Sequence, residues 1–146
     1  MLKAKLIMYL NYEKDLLAHL LILSEKQQKT LIKSERRLLE TITKQQEETA
    51  QKLRKAEENR LNLLMNLYNC TRIQARQIRL SEVEKSFEGE EKEKVAELRT
   101  TLNEQMEKLS QINMTNRVLA NRARINLGEI LGAFVSGNNN VCNVKV

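Results

Sequence analysis

Proline and tryptophan are both absent from the 146-residue chain, and glycine occurs only four times. Proline makes up about 5% of average proteins, and it interrupts helix interiors because its nitrogen carries no hydrogen. The turns of sandwiches, barrels and α/β folds depend on glycine and proline. These absences therefore exclude turn-rich sandwiches and barrels, argue against α/β folds and leave long, nearly uninterrupted helices.

Aromatic residues are also scarce, at 3% of the chain, whereas charged residues make up 30%. Large aromatic side chains fill thick cores, so the composition favours thin helices that meet along a narrow apolar seam. The longest apolar run, Leu16 to Leu23, falls far short of the ~18–20 residues that cross a bilayer. The first residues lack a signal-peptide cleavage motif, so we expect a cytoplasmic protein without membrane insertion.

No catalytic or metal-binding constellation is present in the sequence. Cys70 and Cys142 have no companion Cys/His cluster and are predicted to be free thiols. His19, the only histidine, lies between Leu17 and Leu20 and is predicted to pack in the helical seam. We expect no enzyme activity, no cofactor and no bound metal.

The net charge of +6, from 25 Lys or Arg and 19 Asp or Glu, raises the question of nucleic-acid binding. Two arginine groups occur, around Arg76 and around Arg122. Acidic residues are interleaved over most of the length, and aromatic side chains for base stacking are scarce. The sequence therefore does not favour a nucleic-acid partner.

The N-terminal half carries one amphipathic helical pattern, from about residue 2 to residue 68. Unbroken, this helix would be ~100 Å long, so a bend or short break is expected near Lys33 and Ser34, where Ser34 could cap a new helix. The apolar stripe consists of Leu10, Leu17, Leu20, Leu31, Leu38, Ile42, Leu53, Leu64 and Leu67.

Residues 69–89 lose this period and are predicted to fold the chain back. Ser81 and Glu84 form a capping-box pattern, which predicts a short helix over residues 82–88 that ends at Gly89. From about residue 90 to residue 135 a coiled-coil alternation appears, and residues 136–146 are predicted to be a flexible tail. The seam positions are Val95, Leu98, Leu102, Gln105, Leu109, Ile112, Asn116, Leu119, Ala123, Asn126, Ile130 and Ala133.

Two long helical stretches joined by such a connector would lie antiparallel, each covering the apolar stripe of the other. The sequence therefore predicts an all-α protein with one helical domain over residues 1–135. Its expected architecture is an elongated antiparallel helical hairpin or three-helix bundle with coiled-coil character.

Asn116 occupies a seam position, and Asn113 precedes it by three residues. In one interpretation the buried amides fix the register between helices. In the other, this face of the helix is partly exposed and offers its amides to the backbone of a partner.

The end of the third helix is apolar nearly all round, from Ile125 to Val135, with Gly128 and Gly132 forming a smooth strip. A helix of this kind must be covered on more than one side. The cover could be the connector around Phe87, or a partner helix that binds an exposed groove. Pairing of two copies through this end is a further alternative.

The order of these segments resembles the flagellar type III export chaperones of the FlgN type. The resemblance runs through Leu16–Leu23, Leu31–Ser34, Glu57–Arg60 and Arg79–Val83. Its most specific part is Ile112–Leu119, which is similar to the family's Asn-x-x-Asn followed by an aliphatic residue.

The resemblance implies a chaperone that binds hook–filament junction proteins through its C-terminal helix, prevents premature assembly and delivers them to the export gate. Chaperones of this kind are often acidic, whereas this chain is basic, and no tyrosine follows Tyr68 that could dock at the gate. The predicted partner-binding residues are Asn113, Asn116, Leu119, Ala123, Leu127, Ile130, Leu131 and Phe134.

The alternative function is a coiled-coil stalk component that resembles FliJ of the flagellar export ATPase complex, which is similarly short, basic and helical. A stalk should keep an orderly seam to both ends and has no need for an apolar C-terminal end or a pair of asparagines. The chaperone is therefore the favoured interpretation, and a plain structural coiled coil ranks third.

Overall fold

The computed structural model describes residues 2–122, and within this range all regular structure is helical. The predicted all-α class is thereby confirmed. The predicted continuation of the last helix to residue 135 and the tail 136–146 lie outside the described residues. The helices are α1 (Leu2–Lys33), α2 (Arg36–Tyr68), α3 (Arg72–Gln77), α4 (Leu80–Glu84) and α5 (Gly89–Arg122).

The three long helices form an up-down-up bundle with α1 at its centre, since both α2 and α5 pack along α1. The side chain of Gln105 donates a hydrogen bond to the backbone oxygen of Lys14 at 3.0 Å, and that of Asn116 donates to Ser24 O at 2.9 Å. Later residues of α5 thus meet later residues of α1, so α5 runs parallel to α1 and antiparallel to α2. We call the end with the α1–α2 turn the tip and the end with the connector the base.

Ser34 and Glu35 separate α1 from α2. The Ser34 amide donates to Leu31 O at 3.3 Å and the Glu35 amide donates to Thr30 O at 3.1 Å, with Ser34 at a φ of 57°. This pattern is a Schellman motif, which closes a helix with one left-handed residue. Ser34 therefore ends α1, and the prediction that it caps the next helix is wrong, since Glu35 holds that position without a side-chain cap.

The connector holds two short helices, whereas the sequence predicted one over residues 82–88. The capping box lies at Thr71 and Gln74, at the start of α3, where the Gln74 amide donates to Thr71 Oγ1 at 3.3 Å. Val83 and Phe87, which belong to the connector, are buried in the apolar core. Gly89 adopts a φ of +60° where α5 begins, which a side chain would disfavour.

Among residues 2–122, apolar side chains form two clusters of unequal size. The base cluster extends from Leu6 on α1 to Leu109 on α5, and the tip cluster contains only Leu31, Leu39 and Ala120, with Leu119 packed against it. Most of the apolar packing therefore lies at the base.

Among residues 2–122, six positions that were predicted to lie in the apolar seam are not fully buried: His19, Leu38, Leu67, Gln105, Ile112 and Leu119. His19 is exposed, because it follows Leu17 by two residues and residues two apart do not share a helix face. Leu38 is 47% exposed, and its neighbour Leu39 is buried in its place. At the distal end of α5, Ala120 is buried and Leu119 only half-buried, because an α-helix drifts about 20° per heptad away from a strict seven-residue repeat.

A buried ion pair joins α1 and α2 inside the base of the bundle. Arg60 Nε donates to Glu13 Oε1 at 3.1 Å and lies 3.0 Å from Oε2. The side chain of Glu13 is fully buried and that of Arg60 is 8% exposed. Burial raises the pKa of Glu13 above its usual 4.5, and the neighbouring guanidinium of Arg60 limits the rise.

Candidate partner-binding site

Three of the predicted partner-binding residues lie in the described part of α5: Asn113, Asn116 and Leu119. Both asparagines are buried, at 5% and 0% exposure, and Leu119 is half-buried against the tip cluster. The other predicted residues lie outside the described residues; these are Ala123, Leu127, Ile130, Leu131 and Phe134.

The two asparagines face α1 and not the solvent. Ser24 Oγ donates to Asn113 Oδ1 at 3.3 Å. Asn116 Nδ2 donates to Ser24 O at 2.9 Å and to Gln27 Oε1 at 3.0 Å. Within residues 2–122, the asparagines hold the register between α5 and α1, as the first of the two interpretations proposed.

Two glutamines that the sequence analysis missed complete this network. Gln27 Nε2 donates to Gln46 Oε1 at 3.1 Å, and Gln46 Nε2 donates back to Gln27 Oε1 at 3.2 Å. Gln46 also donates to Ser24 Oγ at 3.3 Å. Ser24 and Gln27 follow Leu20 on the same stripe of α1, at steps of four and then three residues, so the helical spacing indicates both positions. We call these five buried residues the polar layer: Ser24, Gln27, Gln46, Asn113 and Asn116.

The polar layer leaves two buried atoms without a hydrogen-bond partner among the described residues, Asn113 Nδ2 and Asn116 Oδ1. An unpaired buried polar group costs about 1–3 kcal/mol. Beyond the layer, and within residues 2–122, only the small tip cluster holds α5 against the hairpin. The distal quarter of α5 is therefore attached more weakly than the part packed in the base.

Replacing Asn116 by alanine should lower the free energy of unfolding by about 1–2 kcal/mol, because two hydrogen bonds are lost from a buried site. Chemical denaturation followed by circular dichroism measures this change. Arg117→Ala, one residue later and exposed, is the matched control and should stay within about 0.5 kcal/mol of the wild type. Equal losses for the two variants would contradict a structural role for the polar layer.

The outward side of distal α5 carries an apolar patch that was not predicted. Met114 is 69% exposed and Val118 is 44% exposed, and residues four apart share one helix face. In the sequence, Met114 and Val118 lie on the side of the helix opposite the predicted seam. This patch lies on the last two turns of α5 before Arg122.

The apolar stripe of the α1–α2 hairpin ends level with the end of described α5. Ala120 packs with Leu31 and Leu39, and α1 itself ends at Lys33. Within residues 2–122, the stripe that faces α5 therefore ends with Leu31 and Leu39. The apolar sequence Ile125–Val135 begins three residues later.

No helix within residues 2–122 is long and apolar enough to cross a membrane. In the same range, no three His, Cys, Asp or Glu side chains come together as metal ligands would. The described surface near the tip offers apolar and basic contacts, which suit binding to another chain.

A family model described as FlgN protein matches residues 1–143 of the chain. No curated protein and no solved structure matches the chain. The FlgN family consists of chaperones and not of enzymes. Because the match covers nearly the whole sequence, and the helical bundle agrees with it, the chain belongs to the FlgN family of flagellar export chaperones.

Proposed function

We propose that this chaperone binds flagellar hook–filament junction proteins in the cytoplasm, keeps them from assembling prematurely and delivers them to the type III export gate. Family membership supplies the general role of a flagellar export chaperone. To this general role we add the identity of the cargo and its delivery to the export gate.

One observation carries the placement of the cargo site. The stripe that α1 and α2 present to α5 ends where Leu31 and Leu39 pack with Ala120, and the apolar sequence Ile125–Val135 follows. An apolar stretch at this position suits the binding of an amphipathic cargo helix, which would pack its apolar face on it.

The predicted site residues then divide into two roles. Asn113 and Asn116 hold the distal part of α5 in register with α1. The proposed cargo contacts are Leu119, Ala123, Leu127, Ile130, Leu131 and Phe134, and the exposed Met114 and Val118 offer a second apolar contact on the outward side of α5.

Co-expression of the tagged chain with the hook–filament junction proteins, followed by pull-down, tests the choice of cargo. We expect a junction protein to be retained and to stay soluble. The purified export ATPase serves as the comparison partner, because a FliJ-like stalk would bind that ATPase. Retention of the ATPase without any junction protein would contradict the proposal and favour the stalk.

A further inference from the structure

The charge of the chain is concentrated at the tip. Residues 26–44 contain six Lys or Arg and two Glu, and residues 108–122 contain three Lys or Arg and no acidic residue. These segments together carry a charge of +7. The remaining described residues, 2–25 and 45–107, contain 14 Lys or Arg and 16 Asp or Glu and carry −2. The bundle is therefore strongly basic at one end only.

The α1–α2 hairpin has two long grooves, and among residues 2–122 α5 fills only one of them. Ser24, Gln27 and Leu31 face α5, whereas Lys26, Lys29 and Lys33 line the groove on the other side of the hairpin. This second groove, which we call the tip groove, encloses about 470 Å³. Its remaining lining residues are Thr30, Glu35, Leu38, Thr41, Ile42 and Gln45.

The tip groove combines an apolar floor with a one-sided basic wall. Ile42 is buried at its floor and Leu38 is 47% exposed beside it. All three lysines are exposed and come from α1, and within residues 2–122 none lies within ion-pair distance of a carboxylate. Glu35 is the one acidic residue in the lining.

We propose that the tip groove docks an acidic amphipathic segment of a protein partner. An aliphatic side chain of that segment would pack against Leu38, above the buried Ile42, while its carboxylates would face Lys26, Lys29 and Lys33. Opposite charges of this kind orient a partner and accelerate its association, and grooves between helices accept the apolar side chains of a partner helix. The concave apolar floor favours such a segment over a flat lipid surface, and the absence of aromatic lining residues disfavours nucleic-acid bases.

This surface is separate from the proposed cargo site, because it lies on α1 and α2 and uses no residue of α5. The test of the tip groove therefore does not depend on whether the chain binds junction proteins.

Fluorescence anisotropy with a designed probe tests the tip groove. The probe is an 18-residue labelled helical peptide with leucine along one face and glutamate along the other, and the full-length chain is titrated into it at 150 mM salt. Screening over about 8 Å at this salt suppresses the effect of distant charges. We expect saturable binding that is lost when glutamine replaces the glutamates of the probe.

Charge reversal of the lysines, as Lys26→Glu, Lys29→Glu and Lys33→Glu together, should weaken binding of the probe by about tenfold or more. Leu38→Asn should weaken binding severalfold, because it removes a half-exposed apolar contact. The matched control reverses three exposed lysines elsewhere, Lys52→Glu, Lys55→Glu and Lys92→Glu, with the same change in net charge. The control should bind within about twofold of the wild type, and circular dichroism melts verify that each variant is folded.

Three results would overturn the proposal. The first is the absence of saturable binding by the wild type. The second is an equal loss of affinity in the lysine-reversal and control variants, which would show a response to net charge alone. The third is binding to phosphatidylcholine vesicles that contain phosphatidylglycerol, lost in the Lys26, Lys29 and Lys33 variant while the peptide remains unbound, which would assign the surface to anionic lipid.

Discussion

Replacing Arg60 by leucine is expected to lower the free energy of unfolding by about 3–5 kcal/mol, the largest stability change that we predict for any single substitution in this chain. The substitution leaves the carboxylate of Glu13, which is fully buried, without its charge partner. Removing one member of a buried pair costs this much because the other charge stays desolvated and uncompensated. Chemical denaturation at pH 7 measures the loss.

The deficit of Arg60→Leu should grow as the pH rises above 4.5. Burial raises the pKa of Glu13 above 4.5, so the contribution of this group to stability is fully present below pH 4.5 and is lost as the pH passes the folded-state pKa. Without Arg60 the folded-state pKa rises further, and the loss continues over a wider range of pH. A deficit that shrinks with rising pH would contradict this account.

The double variant Glu13→Leu, Arg60→Leu separates the pair from its surroundings. Because apolar residues can replace a buried pair without loss, its stability should lie closer to the wild type than that of Arg60→Leu does. The exposed Arg54→Leu is the control for loss of a positive charge on α2 and should change stability by no more than about 0.5 kcal/mol. A double variant as unstable as Arg60→Leu would show that the loss arises from packing and not from an isolated charge.

The double substitution Leu131→Asp, Phe134→Asp is expected to weaken binding of a hook–filament junction protein by about 100-fold or more. Apolar anchors at the centre of an interface contribute about 2 kcal/mol or more each, and each 1.4 kcal/mol changes affinity tenfold. Both positions belong to the apolar sequence that follows the end of the α1–α2 stripe. Isothermal titration calorimetry with the purified junction protein measures the change.

Two further double variants make this prediction specific to the cargo surface. Met8→Asp, Ile73→Asp places the same charges on exposed apolar residues of α1 and α3 and should leave affinity unchanged. Met114→Ser, Val118→Ser removes the outward patch of α5 and should weaken binding severalfold. Wild-type affinity in the Leu131 and Phe134 variant would exclude the proposed cargo surface.

The helical class and most of the seam could be predicted, because the heptad pattern and the lack of proline act locally along the chain. Val95, Leu98, Leu102 and Leu109 are all buried as predicted. The prediction shifted by one residue at Asn113 and at Ala120, which are buried in place of Ile112 and Leu119, since the error of a strict heptad accumulates over several turns. His19 was predicted to be in the seam but is exposed, because it lies two residues after Leu17 and residues two apart do not share a helix face.

The polar layer was only half predictable from the sequence. Asn116 stood out because an amide interrupts an apolar seam, whereas Gln27 and Gln46 resemble ordinary surface glutamines until α1 and α2 are paired. The tip groove depends on tertiary structure in the same way. Its lysines lie on one helix and its apolar floor on another, so no single stretch of sequence contains the site.

The central claim is that this chaperone carries hook–filament junction proteins on the end of α5. Titration of a purified junction protein with the wild-type chain, followed by hydrogen exchange of the complex, tests it most directly. The account predicts saturable binding, with protection from exchange in residues 114–135 and little change in the base of the bundle. Absence of binding, or protection confined to the base around Leu6 and Leu64, would contradict it.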